Sequence, residues 1–185
     1  MSEKIDRRIV KSQKAIREAF LDALLEKGFE NITVKDITEQ ADLSRKTFYL
    51  HYIDKYDLLD KIMDEHLKQL REICEQKKDK GLVEGTIIWF AYFEKHKAFF
   101  TSLFQSANTV SFRHRLLHFV MGEIDKKLSE SSLNQQIDRQ IAVKFLGTAV
   151  MGVLESYVLE EISGDMQQVA KQVGEMISTH LSYGF

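Results

Sequence analysis

Proline is absent from all 185 residues, and with it the side chain that most often breaks a helix. Glycine numbers only 9, so little in the chain interrupts regular structure. Cys74 stands alone, which excludes an intramolecular disulfide framework. It lies in the polar stretch 72–80 without any motif around it and reads as a half-exposed bystander. A chain of this length can instead be held by an apolar core. No apolar leader opens the sequence and no apolar run approaches the length of a membrane span. No membrane partner is therefore expected, and a reducing, cytoplasmic compartment is. A charge excess is missing too: 26 Lys and Arg against 28 Asp and Glu leave −2, which by itself announces no nucleic-acid partner. There is no glycine-rich phosphate loop and no Ser/His/Asp or Cys/His arrangement in a recognisable context. Neither catalysis nor a cofactor is expected. His114 and His118 have the i,i+4 spacing of a metal chelate, but Arg113 and Arg115 flank them and no third ligand is nearby. They read as an exposed polar face, with no metal.

What is present is helical periodicity from end to end. Ile9, Ile16, Phe20, Ala23 and Leu24 trace one side of a helix over about 8–27, closed by Lys27 and Gly28. Its basic cluster, Lys4, Arg7, Arg8, Lys11, Lys14 and Arg17, fits a solvated face as well as a DNA-facing one. Thr33 and Asp36 form a capping box that starts a short helix through Gln40. Ala41, Asp42 and Leu43 make a break, and Ser44 caps a second short helix from Arg45 to Leu50 or Tyr52. Asp54 caps a long helix to about Lys78, with Leu58, Leu59, Ile62, His66, Leu70 and Ile73 on one side. Further helices are expected over 82–95, 97–105, 109–128, 136–162 and 166–183. Ser129–Asn134 is expected as a loop, and a break at Ser163, Gly164 and Asp165. The fold class is all-α with about nine helices.

Two short helices joined by a three-residue turn, between two longer ones, describe a helix-turn-helix DNA reader. Val34, Ile37, Leu43 and Phe48 can converge on Phe20 and Leu24, which leaves Ser44, Arg45, Lys46, Thr47, Tyr49 and His51 facing outward. Here the sequence resembles the tetracycline-repressor (TetR) family of bacterial regulators. Thr33, Ile37, Ala41, Ser44, Thr47, Phe48, Tyr49, His51, Tyr52, Lys55 and Leu58 occupy the places of the family pattern. Asp42 stands where that family usually has glycine, and aspartate tolerates the left-handed backbone such a turn needs. Lys46 replaces another common glycine, and Ile53 a phenylalanine.

The resemblance implies a three-helix DNA-binding domain, 1–55, followed by a helical effector-binding and dimerisation domain, 56–185. Thr33 would hold a phosphate at the mouth of the second helix, Tyr49 and His51 would touch backbone or thymine methyls, and Lys55 a phosphate. Arg45, Lys46 and Thr47 are the candidates for base readout, and Lys35 and Ser44 complete the DNA-facing set. The partners it implies are double-stranded DNA carrying a palindromic operator and a second copy of the chain, docked through the last two helices. Ile141, Phe145, Ala149, Gly152, Val153, Ser156 and Leu159 trace one side of the first of these. Val169, Val173, Met176, Ile177 and Leu181 trace one side of the second. Either face serves equally as intrachain core.

Aromatic residues crowd the middle of the chain. Trp89, Tyr92, Phe93, Phe100, Phe104, Phe119 and Phe145 are the candidate lining of a pocket for a small apolar or aromatic effector, and plain core is the competing reading. The stretch 93–104, with Ser111, Phe112 and 145–153, is similar to a regulatory-domain subgroup that includes dihydroxyacetone-kinase activators, some of which work with a protein coregulator. Three functions follow as expectations. The first is a homodimeric repressor relieved by a small molecule. The second is an activator governed by a coregulator. The third, a helical adaptor or enzyme without DNA binding, requires the reader motif to be accidental.

Overall fold

The computed structural model describes residues 7–76, 80–130 and 138–183, with the side chains of 108, 129, 130 and 180–183 excepted. Among the described residues there are nine α-helices, two 3-10 turns and no strand. The helices are α1 (Arg7–Lys27), α2 (Val34–Gln40), α3 (Arg45–Tyr49), α4 (Lys55–Gln76), α5 (Leu82–Lys95), α6 (Lys97–Gln105), α7 (Val110–Glu130), α8 (Arg139–Val158) and α9 (Met166–Tyr183). Lys4, residues 131–134 of the expected loop, the expected helix end at Lys78 and start at Gln136, and the Leu181 side chain lie outside what is described.

Local chemistry sets the helix ends. Thr33 and Asp36 close the expected capping box on α2, and the Ser44 hydroxyl accepts the Thr47 N–H to start α3. Asp54 accepts from the amides of Tyr56 and Asp57 at 2.9 and 2.8 Å, so α4 opens where expected. Asp138 does the same for α8 through Gln140 and Ile141. The turn between α2 and α3 runs through Asp42 at φ 52°, the left-handed conformation its sequence position implied. Several boundaries differ from expectation, and α3 ends at Tyr49, before the expected Leu50 or Tyr52. α7 runs through Glu130, past the expected end at Leu128. α8 stops at Val158, short of Ile162, because Glu160 turns left-handed at φ 62° and the Glu160 and Glu161 amides fold back onto the Tyr157 and Ser156 carbonyls.

The first three helices pack around Ile16, Phe20, Leu24, Ile37 and Phe48, all fully buried, with Val34 and Leu43 half-buried against them. Each such phenylalanine contributes on the order of 2–3 kcal/mol of burial. Ile9 departs from its expected place: it is 44% exposed. In the second half α5 lies along α9 and α7 along α8. A glycine lies at each contact, against backbone in the first and against a side chain in the second. A Cβ on Gly174 would stand 2.7 Å from the Val83 Cα, and one on Gly147 would stand 2.6 Å from the Met121 Cγ.

α8 corrects one sequence expectation. Its 20 residues are long and apolar enough to cross a membrane by length and composition. Half of that stretch is buried here against the rest of the chain, with Ala142, Val143, Leu146, Val150 and Leu154 turned inward. The apolar excess comes from the other side, where Ile141 and Phe145 are 68% and 53% exposed. A helix apolar on both faces has one face in the core and another awaiting cover.

Candidate nucleic-acid interface

α3 is a single capped turn and a half, pinned by one side chain. Phe48 is fully buried, with Tyr49 and Tyr52 packed on its ring at centroid distances of 5.5 Å. Pinning that face turns the opposite one outward: Arg45 and Lys46 are exposed, Tyr49 is 57% exposed, and none of the three polar ends has a partner among the described residues. The head also presents Leu50 and Ile53, 74% and 80% exposed, which the sequence reading left out of the DNA-facing set. Their signal was present: each is apolar where the buried stripe of a short amphipathic helix does not reach, a surface suited to thymine methyls.

The remaining candidates are engaged within the protein. The Ser44 hydroxyl caps α3 and is bonded to the Thr47 hydroxyl at 2.9 Å. Lys35 lies beside Glu39 at 3.6 Å on the exposed side of α2. Thr33 directs both its N–H and its hydroxyl to the Asp36 carboxylate. Those bonds, and the 3.0 Å pair with Lys27, hold the Asp36 carboxyl well below the usual carboxylate range. His51 is half-buried, its Nε2 2.7 Å from the Ser12 hydroxyl of α1, a partner the sequence pattern did not disclose.

Lys55 departs most clearly from its expected role. Its Nζ donates to the carbonyls of Phe29, Glu30 and Ile32 at 3.0, 3.1 and 2.9 Å, and it lies over the Phe29 ring at 4.9 Å. All three ammonium protons are used to close the loop between α1 and α2. Lys55 therefore fixes the reading head from inside.

The second half contains a cavity of about 120 Å³, lined by Trp89 and Phe119 together with Cys74, Ile124, Val150 and Ile177. The other five pocket candidates lie elsewhere. Phe93, Phe100 and Phe104 stack in the core, Phe93 and Phe100 with centroids 4.6 Å apart. Tyr92 is buried with its hydroxyl bonded to His66 Nδ1 and Gln69, and its pKa is pushed up to about 12 by burial. Phe145 is on the outer face of α8. For Tyr92, Phe93, Phe100 and Phe104 the core reading prevails because their rings fill one another's space. Cys74, expected as a bystander, is a wall of the cavity.

Contacts link this half to the reading head. The buried Ser106 hydroxyl donates to Glu30 at 2.6 Å, and Arg115 of α7 bridges Asp60, at 3.2 Å, and Asp64 on α4. Arg17 of α1 grips Glu65 of α4 through both guanidinium nitrogens. α4 thus runs from the reading head to the cavity, tied on either side.

This order of parts agrees with known proteins. Residues 16–62 match the profile of bacterial regulatory proteins of the tetR family, and residues 82–179 that of a transcriptional regulator C-terminal region. The chain belongs to the TetR family. Among curated relatives it is 29% identical, over 169 residues and 86% of its length, to the uncharacterized HTH-type transcriptional regulator YxbF of Bacillus subtilis. It is 26% identical over 93 residues, 50% of its length, to DhaS of Lactococcus lactis, the HTH-type dhaKLM operon transcriptional activator. The chain spans 42% and 49% of these two relatives, less than half of each. The solved structure of DhaS superposes with a TM-score of 0.70 at 19% identity, covering 92% of this chain and 96% of that one. That of NalD from Pseudomonas aeruginosa, a repressor of the MexAB-OprM multidrug efflux pump, superposes with 0.74 at 18% identity, covering 95% and 98%. At those identities the likeness is one of fold, and it spans an activator and a repressor alike.

Proposed function

We propose that this TetR-family chain is a homodimeric repressor that binds a palindromic operator through α3 and is released by a small-molecule effector held in its second half. The observation that carries the DNA-reading part is the surface of α3. Arg45, Lys46 and Tyr49 are exposed and unengaged on a helix whose other side is fixed by the buried Phe48. A bidentate arginine–guanine contact supplies roughly 1–3 kcal/mol of discrimination. Two such readers about 34–36 Å apart match successive turns of one groove, which is what a symmetric dimer offers. The division at about residue 55 follows, with α4 as the shared strut. The effector acts only by binding the non-DNA state more tightly, because equal affinity for both states shifts nothing.

The test is binding of the purified protein to DNA flanking its own gene and to scrambled DNA, across a salt series. Selective binding at dimer stoichiometry that weakens with salt is expected. An Arg45→Ala change is expected to lower selective affinity about tenfold or more with unchanged stability. Equal binding to scrambled DNA at every salt concentration would refute the reading. Lys55 is unsuited to this test, since its removal disturbs the head itself.

One observation favours a second reading, an activator working with a protein coregulator: the sequence similarity to DhaS, named as a transcriptional activator. Its signature would be a partner protein that binds the second half and raises operator-dependent transcription.

A further inference from the structure

Two concave features follow one another along the same pair of helices. Between α4 and α7 lies an open groove of about 740 Å³, its floor Leu67 and Phe119 and its walls Arg71, His114, Arg115 and His118. Beyond it, between the same helices and α5, α8 and α9, lies the apolar cavity. On α7 the groove is lined by residues 111–119 and the cavity by residues 119–127, so Phe119 is a wall of both. On α4 the groove ends at Arg71 and the cavity begins at Cys74, three residues and about 4.5 Å further along the axis.

The two ends differ in chemistry. Inside, Trp89, Phe119, Ile124 and Val150 offer no hydrogen bond beyond the indole N–H. Of the charged groups at the cavity rim, Glu123 is met by Lys126 at 2.7 Å and Lys80 by Glu84, and Lys127 has an interaction of its own. Outside, Asp64 of the groove is taken up by Arg115. Arg71 is exposed with no ion pair among the described residues, and His114 and His118 are exposed beside it. A molecule spanning both features meets apolar surface at one end and, at the other, the Arg71 guanidinium beside two imidazoles.

The geometry points to one amphipathic site, in which an apolar chain lies in the cavity past Phe119 and an anionic head rests on Arg71 and His118; the ligand class is a medium-chain carboxylate. This deepens the effector reading above and rests on it. The head would stand one helical turn from Arg115, which ties α7 to Asp60 and Asp64 on α4. Occupancy therefore bears on the helix that leads to the reading head.

Trp89 is the single tryptophan of the chain and lines the cavity, so its fluorescence reports filling directly. The experiment titrates the full chain with octanoate, octanol and octyltrimethylammonium. Octanoate is expected to change the Trp89 signal at a concentration at least tenfold below that of the other two. Arg71→Ala, a surface change that leaves the fold intact, is expected to abolish the preference of octanoate over octanol. Val150→Phe is expected to block all three, with circular dichroism reporting that the variant is folded. Absence of any signal change overturns the proposal. So does an octanol affinity equal to that of octanoate, or a preference untouched by Arg71→Ala but removed by Lys127→Ala. The same octanoate series run on the operator complex separates the two readings. Binding at Trp89 without release of DNA supports the site and removes the effector role, whereas operator binding without any octanoate response removes the site alone.

Discussion

A single ammonium group decides how the loop between α1 and α2 closes. Lys55 supplies three charge-assisted hydrogen bonds to carbonyls that would otherwise be left in a half-buried place, and such bonds are worth more than neutral ones. Replacing Lys55 by alanine is expected to lower unfolding stability by about 2 kcal/mol, seen as a fall in the urea midpoint at unchanged slope. A loss under about 0.5 kcal/mol would mean that water serves the carbonyls equally well. His66 offers a second prediction at this scale. It stacks on Phe99 at 4.6 Å and is bonded to Tyr92, and its pKa is lowered to about 4 by burial first and by the neighbouring His96 second. The folded chain therefore holds His66 neutral where the unfolded chain protonates it, near pH 6.5. Its contribution is complete above about pH 6.5 and is lost as the pH falls towards about 4. With allowance for partial exposure, the loss comes to about 2 kcal/mol. Urea midpoints between those pH values should show this fall in the parent protein and a flatter profile in His66→Phe.

At the scale of elements, the close helix contacts give the clearest contrast. The atom nearest a Cβ on Gly174 is the Val83 Cα, part of a helix backbone that cannot step aside. The atom nearest a Cβ on Gly147 is in the Met121 side chain, which has other rotamers. Gly174→Ala is expected to cost about 2 kcal/mol, and Gly147→Ala under about 1 kcal/mol. Thermal unfolding of the two variants tests the order, and equal effects would show that α5 and α9 slide as easily as a methionine turns. The helices themselves were legible in the sequence because caps are local. Thr33, Ser44 and Asp54 each start a helix through bonds to amides two or three residues on. The end of α8 was not legible, since nothing about Glu160 as a residue type announces a left-handed backbone.

For the whole molecule, the outer face of α8 is decisive. Ile141 and Phe145 expose apolar surface on one side, with Ala149 and Gly152 also exposed there as small residues suited to close approach. On α9 the expected face divides differently: Val169 and Val173 are buried within the chain, and Met176 remains 59% exposed. A double change, Ile141→Glu with Phe145→Glu, is expected to give a folded monomer by sedimentation equilibrium with operator affinity lowered at least a hundredfold, because one reader contacts half the site. A dimer that persists would place the second copy on another face.

The sequence alone determined the helical class, the order of the helices, the capped two-helix reader and the identity of its outward cations. These follow from rules that act over a few residues: helix periodicity, capping, and the exclusion of proline. It could not assign work to individual polar groups within that pattern. Lys55 and Thr33 occupy family positions yet spend their donors on the Phe29–Ile32 carbonyls and on Asp36, and the residues that receive them are brought close only by folding. Nor could it divide the aromatic residues between core and cavity. Phe100 and Trp89 look alike along the chain and both pack on Phe93, and only the packing of α5, α6 and α7 closes further rings around Phe100 and leaves Trp89 with one side on empty space. Distances across the chain are set when helices pack, and side-chain volume then decides which gaps remain.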